Sequence, residues 1–448
     1  MGLDFRKSIE FKESSIGKIP KTWDVCKLED YVEIKGRIGW KGLKVSEYTM
    51  DGPFIVGGLQ IIDGKVLWNA CAHISQERYD ESPEIKLQEN DILITKDGTI
   101  GKLAYIANVH GQATIASHIH LIRSKSNRII QRFLFYYFNS PKFHSIVEGK
   151  ISGSVIAALT QADINKAEFP LPPINEQKAI AKILSDLDAK IELNQKMNKT
   201  LEAIAQAIFK HWFIDFEFPN EEGKPYKSNG GEMVDSELGE IPKCWEAKKL
   251  RDVLREISSG SRPKGGIDKK LCNGIPSIGA ENIKGLGHYD FSKTKYVTNG
   301  FFEKNQKGMV IDRDVLLYKD GAQLGRKTIF GGGFPFIKCM VNEHVFILRV
   351  REELRQSYLY FWLDRNDVTD AIRNLNTNSA QPGLNKEAVG SLRILVPPLH
   401  ILSEFDLLIS FLLNRIFNNS LQSKTIDEIR DLLLPKLVSG KIRVPLEE

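Results

Sequence analysis

The side chains able to do chemistry are few and far apart. His118 and His120 alternate, so on a strand they would share one face and could hold a metal ion. No cysteine or carboxylate set stands beside them, so surface or packing roles are expected instead. Lys96-Asp97-Gly98 and Lys319-Asp320-Gly321 look like catalytic lysine–aspartate pairs, but a polar hairpin turn accounts for Asp-Gly more simply. The five cysteines (Cys26, Cys71, Cys244, Cys272, Cys339) are scattered and contain no CxxC pair. That argues against a disulfide framework and a zinc cage, and fits a reducing cytoplasm. There is no Asn-Pro-Pro-aromatic or Asp-Pro-Pro-Tyr string to hold a flipped adenine, and no glycine-rich start of a site for S-adenosylmethionine. A GxxxxGK[ST] phosphate loop is also missing. No catalytic residue and no metal ligand are therefore expected in this chain.

The elements that carry these residues must form more than one core, because 448 residues exceed what a single core usually organises. Hydrophobic content of 42% and charged content of 27% are ordinary for a globular chain. No stretch approaches the roughly 20 apolar residues needed to cross a bilayer, so no membrane is expected. The first residues contain no apolar run suited to a signal peptide. A net charge of +5 permits a polyanionic partner without requiring one.

An internal repeat sets the organisation. Ser15-Ile16-Gly17-Lys18-Ile19-Pro20-Lys21-Thr22-Trp23 recurs as Glu237-Leu238-Gly239-Glu240-Ile241-Pro242-Lys243-Cys244-Trp245, an offset of 237 − 15 = 222. Asp91 to Gly98 matches Asp314 to Gly321 at 314 − 91 = 223, and Leu171-Pro172-Pro173 matches Val396-Pro397-Pro398 at 396 − 171 = 225. So long a period marks a duplicated domain rather than a solenoid, and two copies suggest a pseudo-two-fold molecule.

Each half reads as a mixed globular part followed by a helix. Short β-rich runs (Asp91 to Thr95, Leu103 to Ile106, Val310 to Tyr318, Val345 to Val350) lie between glycine turns. Aromatic helices are expected around Gln131 to Phe138 and Ser357 to Leu363. After each Pro-Pro pair comes a heptad seam. It runs through Ile180, Leu184, Leu187, Ile191, Asn194, Asn198, Leu201, Ala205 and Ile208, and again through Phe405, Ile409, Leu412, Ile416, Asn419, Ser423, Ile426, Arg430 and Leu433. Arg430 is the blemish. Residues 176 to 209 would make a rod of roughly 50 Å. One narrow apolar stripe per helix is best buried by packing the two together, and the short linker after Phe213 favours an antiparallel pair. Asn194 and Asn419, each mid-seam, are candidates for fixing helix register. The expected fold class is α+β: two similar globular parts with curved, mainly antiparallel sheets, separated by two long helices in an antiparallel intramolecular coiled coil. The expected boundaries are 1–172, 173–212 (helix), 213–235 (linker), 236–397 and 398–442 (helix and tail).

Four strings carry a family resemblance. Gly-x-Ile-Pro-x-x-Trp opens each half, and Phe169-Pro170-Leu171-Pro172-Pro173-Ile174-Asn175-Glu176-Gln177 leads into the first helix. Trp212-Phe213-Ile214-Asp215-Phe216 closes that helix, and Leu434-Pro435-Lys436-Leu437-Val438-Ser439-Gly440-Lys441-Ile442 stands near the C-terminus. Over essentially its whole length the chain resembles the specificity subunits of type I restriction-modification enzymes. The second half departs at Pro398-Leu399-His400-Ile401-Leu402, where the Glu-Gln pair is missing, so its partner contacts are expected to differ. The resemblance implies a non-catalytic reader of double-stranded DNA, each globular part a target-recognition domain for one half of a bipartite target, with the helices setting the spacer. It also implies two modification (methyltransferase) subunits and restriction (translocase/nuclease) subunits as partners. S-adenosylmethionine, ATP and Mg would belong to those partners, with no cofactor in this chain.

DNA contact requires cations and amides in loops. Arg37, Lys41 and Lys44 stand in a glycine-rich loop of the first half, and Arg262 and Lys264 in the matching loop of the second. Lys96 with Lys102, and Lys319 with Arg326, are second candidates at the Asp-Gly tips. Glu176, Gln177, Lys190, Gln195 and Lys199 are expected to face outward on the first helix, and Glu176 and Gln177, with Trp212 and Phe213 at its end, are candidates for partner binding; the aromatic pair could equally cap the coiled coil.

Overall fold

The computed structural model describes residues 10–37, 43–151, 158–268, 270–375 and 383–445. The chain divides into two compact units, one formed by residues 1–189 and 426–448, the other by residues 190–425. Each is built on the same plan.

In the first unit, Ile92–Thr95 is an unbroken apolar run because both of its faces are buried. It is a central strand of a four-stranded antiparallel sheet ordered Leu103–Tyr105, Ile92–Thr95, Ile119–Ser124, Val32–Gly36. The second unit repeats that order as Lys327–Ile329, Val315–Tyr318, Val345–Val350, Leu254–Ser259, again antiparallel throughout. Each unit adds a three-stranded sheet holding one parallel pair: Ala113–Ile115 beside Phe54–Val56 in the first, Met340–Val341 beside Ser277–Ile278 in the second. The aromatic helices are present as Gln131–Phe138 and Gln356–Asp364, with almost every side chain buried. The turns at the Asp-Gly tips are longer than a two-residue hairpin. Ile94 pairs with Leu103, so Thr95 to Lys102 form the connection, and Leu317 pairs with Lys327.

One buried ion pair is duplicated. Asp91 and Asp314, each 1% exposed, receive a two-pronged guanidinium from Arg123 and Arg349, with both N–O distances 2.7 Å in each unit. Each carboxylate also accepts a backbone N–H, from Gln88 at 2.7 Å and from Ile311 at 2.8 Å. Burial raises the Asp314 carboxyl pKa, and Arg349 opposes the shift. Removing either partner of such a pair would strand a buried charge, at about 3–5 kcal/mol.

Both long helices are 40 residues, Ile174–Phe213 and Leu399–Val438, and their predicted seams are buried or half-buried throughout. Within the second unit they run antiparallel: Asn194 meets Gln422 and Ser423, Asn198 meets Ile416 and Ser420, and Phe209 and Trp212 meet Phe405. Asn194 does not pair with the Asn419 side chain; it donates to that residue's carbonyl at 3.3 Å. The side-chain partner of Asn419 is Asn198, one turn further on, at 2.9 Å. Ser420 passes the network on to the Gly287 carbonyl at 2.7 Å. Arg430, the seam's blemish, belongs to the first unit, where Asp188 at 3.1 Å and Asp427 at 2.5 Å neutralise it.

Glu202 on the first long helix is half-buried near Asp364, which Gln206 contacts at 2.9 Å and Lys327 at 3.5 Å. Burial pushes the Glu202 carboxyl up to about 7, and the Asp364 charge adds to the shift. Because the folded state holds this proton more tightly than the unfolded chain does, stability falls as pH rises from the ordinary value of 4.5 through about 7. Glu202→Gln is expected to remove part of that decline, seen as a smaller drop in melting temperature between pH 5 and pH 8 than in the parent chain. In the seam, Asn198→Leu adds apolar surface yet leaves the Asn419 amide without its acceptor. It is expected to destabilise by about 1–3 kcal/mol in denaturant unfolding of the whole chain.

Candidate nucleic-acid interface

One loop follows Val32–Gly36 and its counterpart follows Leu254–Ser259, and the structure treats their cations differently. Arg37, expected at the surface, is buried: its Nε donates to the Ile115 carbonyl at 3.0 Å and its Nη2 to Thr114 Oγ1 at 3.3 Å. Burial lowers its pKa, and the guanidinium ties Val32–Gly36 to the neighbouring sheet instead of facing solvent. Lys41 lies outside the described residues. Lys44 is exposed. In the second unit Arg262 and Lys264 are both exposed, with Arg262 Nε 2.9 Å from Glu343. The loop leaves the sheet through Gly260, where a Cβ would lie 1.6 Å from the Val341 carbonyl oxygen. Only glycine permits that approach.

The Asp-Gly tips hold the second set. Lys96, Lys102, Lys319 and Arg326 are all partly exposed. Lys102 sits across the turn from Thr95, whose N–H donates to its carbonyl at 3.0 Å, and Tyr318 N donates to the Arg326 carbonyl at 2.7 Å. His118 and His120 do not act together. His118 is exposed and lies 2.6 Å from Asp97, whereas His120 is buried with Nε2 2.9 Å from the Leu159 carbonyl, and burial lowers its pKa. Among the described residues no group of three or more His, Cys, Asp or Glu is placed to hold a metal ion.

The residues expected to face partners are turned inward. At the start of the first long helix, Glu176 Oε2 accepts the Trp23 indole N–H at 2.9 Å, and its other oxygen takes Arg443 of the C-terminal tail. Gln177 is fully buried; its oxygen accepts Ile130 N at 2.8 Å and its amide donates to the Arg128 and Pro172 carbonyls. These side chains fasten the helix to the globular part, because a buried indole N–H and the open backbone groups of Arg128, Ile130 and Pro172 all need partners. Lys190 is half-buried, while Gln195 and Lys199 are exposed. Trp212 and Phe213 are buried against Phe405 in the second unit's core, so capping the helix pair is their structural role.

The recurring tryptophans explain the remaining motifs. Trp23 is covered by the tail, where a Cβ on Gly440 would come within 2.4 Å of Pro20. Trp245 is covered by Phe213, Phe216 and Phe218, with ring centroids 5.8, 5.3 and 5.2 Å away. Ile401 and Leu402, both buried, replace Glu176 and Gln177 in the second unit, and among the described residues the Trp245 indole nitrogen has no hydrogen-bond partner. The fastening is polar in one half and apolar in the other. Sequence reasoning also missed the Asp91–Arg123 and Asp314–Arg349 pairs, although each occupies matching places in the repeat.

Comparison with known proteins agrees with this duplicated plan. A family model described as the type I restriction modification DNA specificity domain matches residues 20–203 and again 242–430. The MjaIX specificity subunit of a type I restriction enzyme from Methanocaldococcus jannaschii is 29% identical over 98% of this chain and 98% of its own length. The HindI specificity subunit from Haemophilus influenzae is 24% identical, covering 85% of this chain and 93% of that protein. A crystal structure of a type I restriction-modification S subunit from M. genitalium shares the fold, with a TM-score of 0.55, 14% identity, and coverage of 100% of this chain and 99% of that one. Since the family model accounts for most of both halves, the chain belongs to the type I restriction-modification specificity subunits and carries the DNA specificity domain twice.

Proposed function

We propose that each specificity domain reads one half of a bipartite double-stranded DNA target, and that the two long helices set the spacer between the halves and dock two modification subunits. The observation that carries this reading is one scaffold built twice with different loops. The sheets and the buried Asp–Arg pairs repeat, while the loop after the first strand changes from Lys44 and its neighbours to Arg262 and Lys264. A common frame with divergent loops is what two readers of different base sequences require. In this reading Lys44, Arg262 and Lys264 contact DNA, together with Lys96, Lys102, Lys319 and Arg326 at the tips. Arg37 acts behind the surface, positioning the strand that feeds its loop. Methyl transfer from S-adenosylmethionine and ATP-driven cleavage with Mg would be the work of modification and restriction subunits, in a cytoplasmic complex.

The test is methylome sequencing of a methylation-deficient bacterial host carrying this chain and its modification subunit, beside a host carrying the modification subunit alone. A two-part adenine-methylated motif present only with this chain is expected. A soluble complex that adds no motif would defeat the reading.

A further inference from the structure

The Asp-Gly tips are more alike than the proposed reading of two different half-sites requires. Gly98 and Gly321 both adopt φ of +66°, and Gly101 and Gly325 adopt +84° and +86°. Nothing lies within 4 Å of a Cβ on Gly98, so the left-handed backbone, not crowding, accounts for glycine there. Two backbone hydrogen bonds recur: Lys96 N to the His118 carbonyl at 3.0 Å with Leu159 N to the Lys96 carbonyl at 2.8 Å, and Lys319 N to the His344 carbonyl at 3.1 Å with Leu384 N to the Lys319 carbonyl at 2.8 Å. The side-chain chemistry recurs as well. Each tip has a lysine before its aspartate, a second cation across the turn (Lys102 or Arg326), and a histidine whose Nδ1 meets the aspartate, at 2.6 Å for His118–Asp97 and 2.8 Å for His344–Asp320.

Folding alone does not call for this likeness. The backbone bonds already fix each tip, and ion pairs as exposed as His118–Asp97 contribute little to stability. Base reading does not call for it either, since two domains reading different sequences should differ where they touch bases. What every half-site shares is its sugar-phosphate backbone. Resting on the DNA-reading function above, we propose that the two tips are a duplicated, sequence-independent clamp on the DNA backbone, each using its pair of cations to hold phosphate. The lysine and the cation across the turn supply charge. The aspartate holds the imidazole in a fixed orientation at the edge of the cluster; in the second unit Glu343 also lies 3.3 Å from His344 Nε2. Charge that positions without reading is the usual role of such contacts, and its signature is salt dependence.

The experiment uses the whole chain in complex with its modification subunit, titrated onto a duplex carrying the methylated motif at several salt concentrations. Lys96→Gln with Lys102→Gln in one half, and Lys319→Gln with Arg326→Gln in the other, are each expected to lower the slope of log affinity against log salt by about 1–2. The methylated motif should stay unchanged at both half-sites. Lys319 also lies 4.9 Å from the Phe346 ring, so its loss could loosen the second unit. Lys102→Gln and Arg326→Gln singly leave that contact in place and should each lower the slope by about 1. Charge-preserving Lys96→Arg should retain the parent slope. A changed base preference at one half-site, or an unchanged slope in folded variants, would overturn the clamp. If the unaltered complex showed no sequence-selective binding, the DNA-reading function itself would fall, an outcome distinct from a silent variant.

Discussion

Burying two indoles is the constraint on which the arrangement of this chain depends. Trp23 and Trp245 open the two halves; Trp23 is covered by the far end of the chain and Trp245 by the segment that leads into its own half. Residues around Gly440 lie against Trp23, and Phe213 to Phe218 lie against Trp245. An indole is a large apolar surface, and leaving it in water would forfeit a few kcal/mol of burial. The first unit is therefore completed by the C-terminal tail, so that its core draws on both ends of the chain. The glycine at 440 and the aromatic run after Trp212 follow from the same requirement.

Polar groups then decide how tightly each part is fixed. Glu176 satisfies the Trp23 N–H and the Arg443 guanidinium together, and Gln177 satisfies three backbone groups. In the second unit the matching positions are Ile401 and Leu402, buried in the same apolar cluster as Trp245, whose indole nitrogen has no hydrogen-bond partner among the described residues. Inside the helix pair of the second unit, the Asn194, Asn198 and Asn419 layer replaces apolar packing with directional bonds. A slip of the helices would break those bonds, which is how polar seam residues specify register at some cost in stability. The buried Asp–Arg pairs do similar work in the sheets, joining the central strands to the loops that precede them.

This division of labour suits a reader of DNA. The repeated parts (sheets, ion pairs, tryptophan covers) hold positions, and the parts that differ stand at the surface, where substitution costs little stability. Arg37 shows how the two can be confused. A cation in a glycine-rich loop has the composition of a DNA contact, yet the Ile115 carbonyl and the Thr114 hydroxyl of the neighbouring sheet accept its hydrogen bonds and hold it inside.

By itself the sequence determined the duplication, the alternation of apolar runs that makes the sheets, the aromatic helices, the heptad seams and the family, because periodicity and local propensity act over short spans of chain. It could not assign partners to polar side chains. Glu176 and Gln177 carry the helical pattern of a solvated first turn, and only the tertiary structure shows that an indole N–H and open backbone carbonyls lie above them. The same holds for Asn419, which bonds Asn198 rather than Asn194, since one helical turn of stagger is invisible in either helix alone. Burial and hydrogen-bond partners are set by residues far apart in the chain, so the tertiary structure alone decided which charged residues became struts and which remained at the surface.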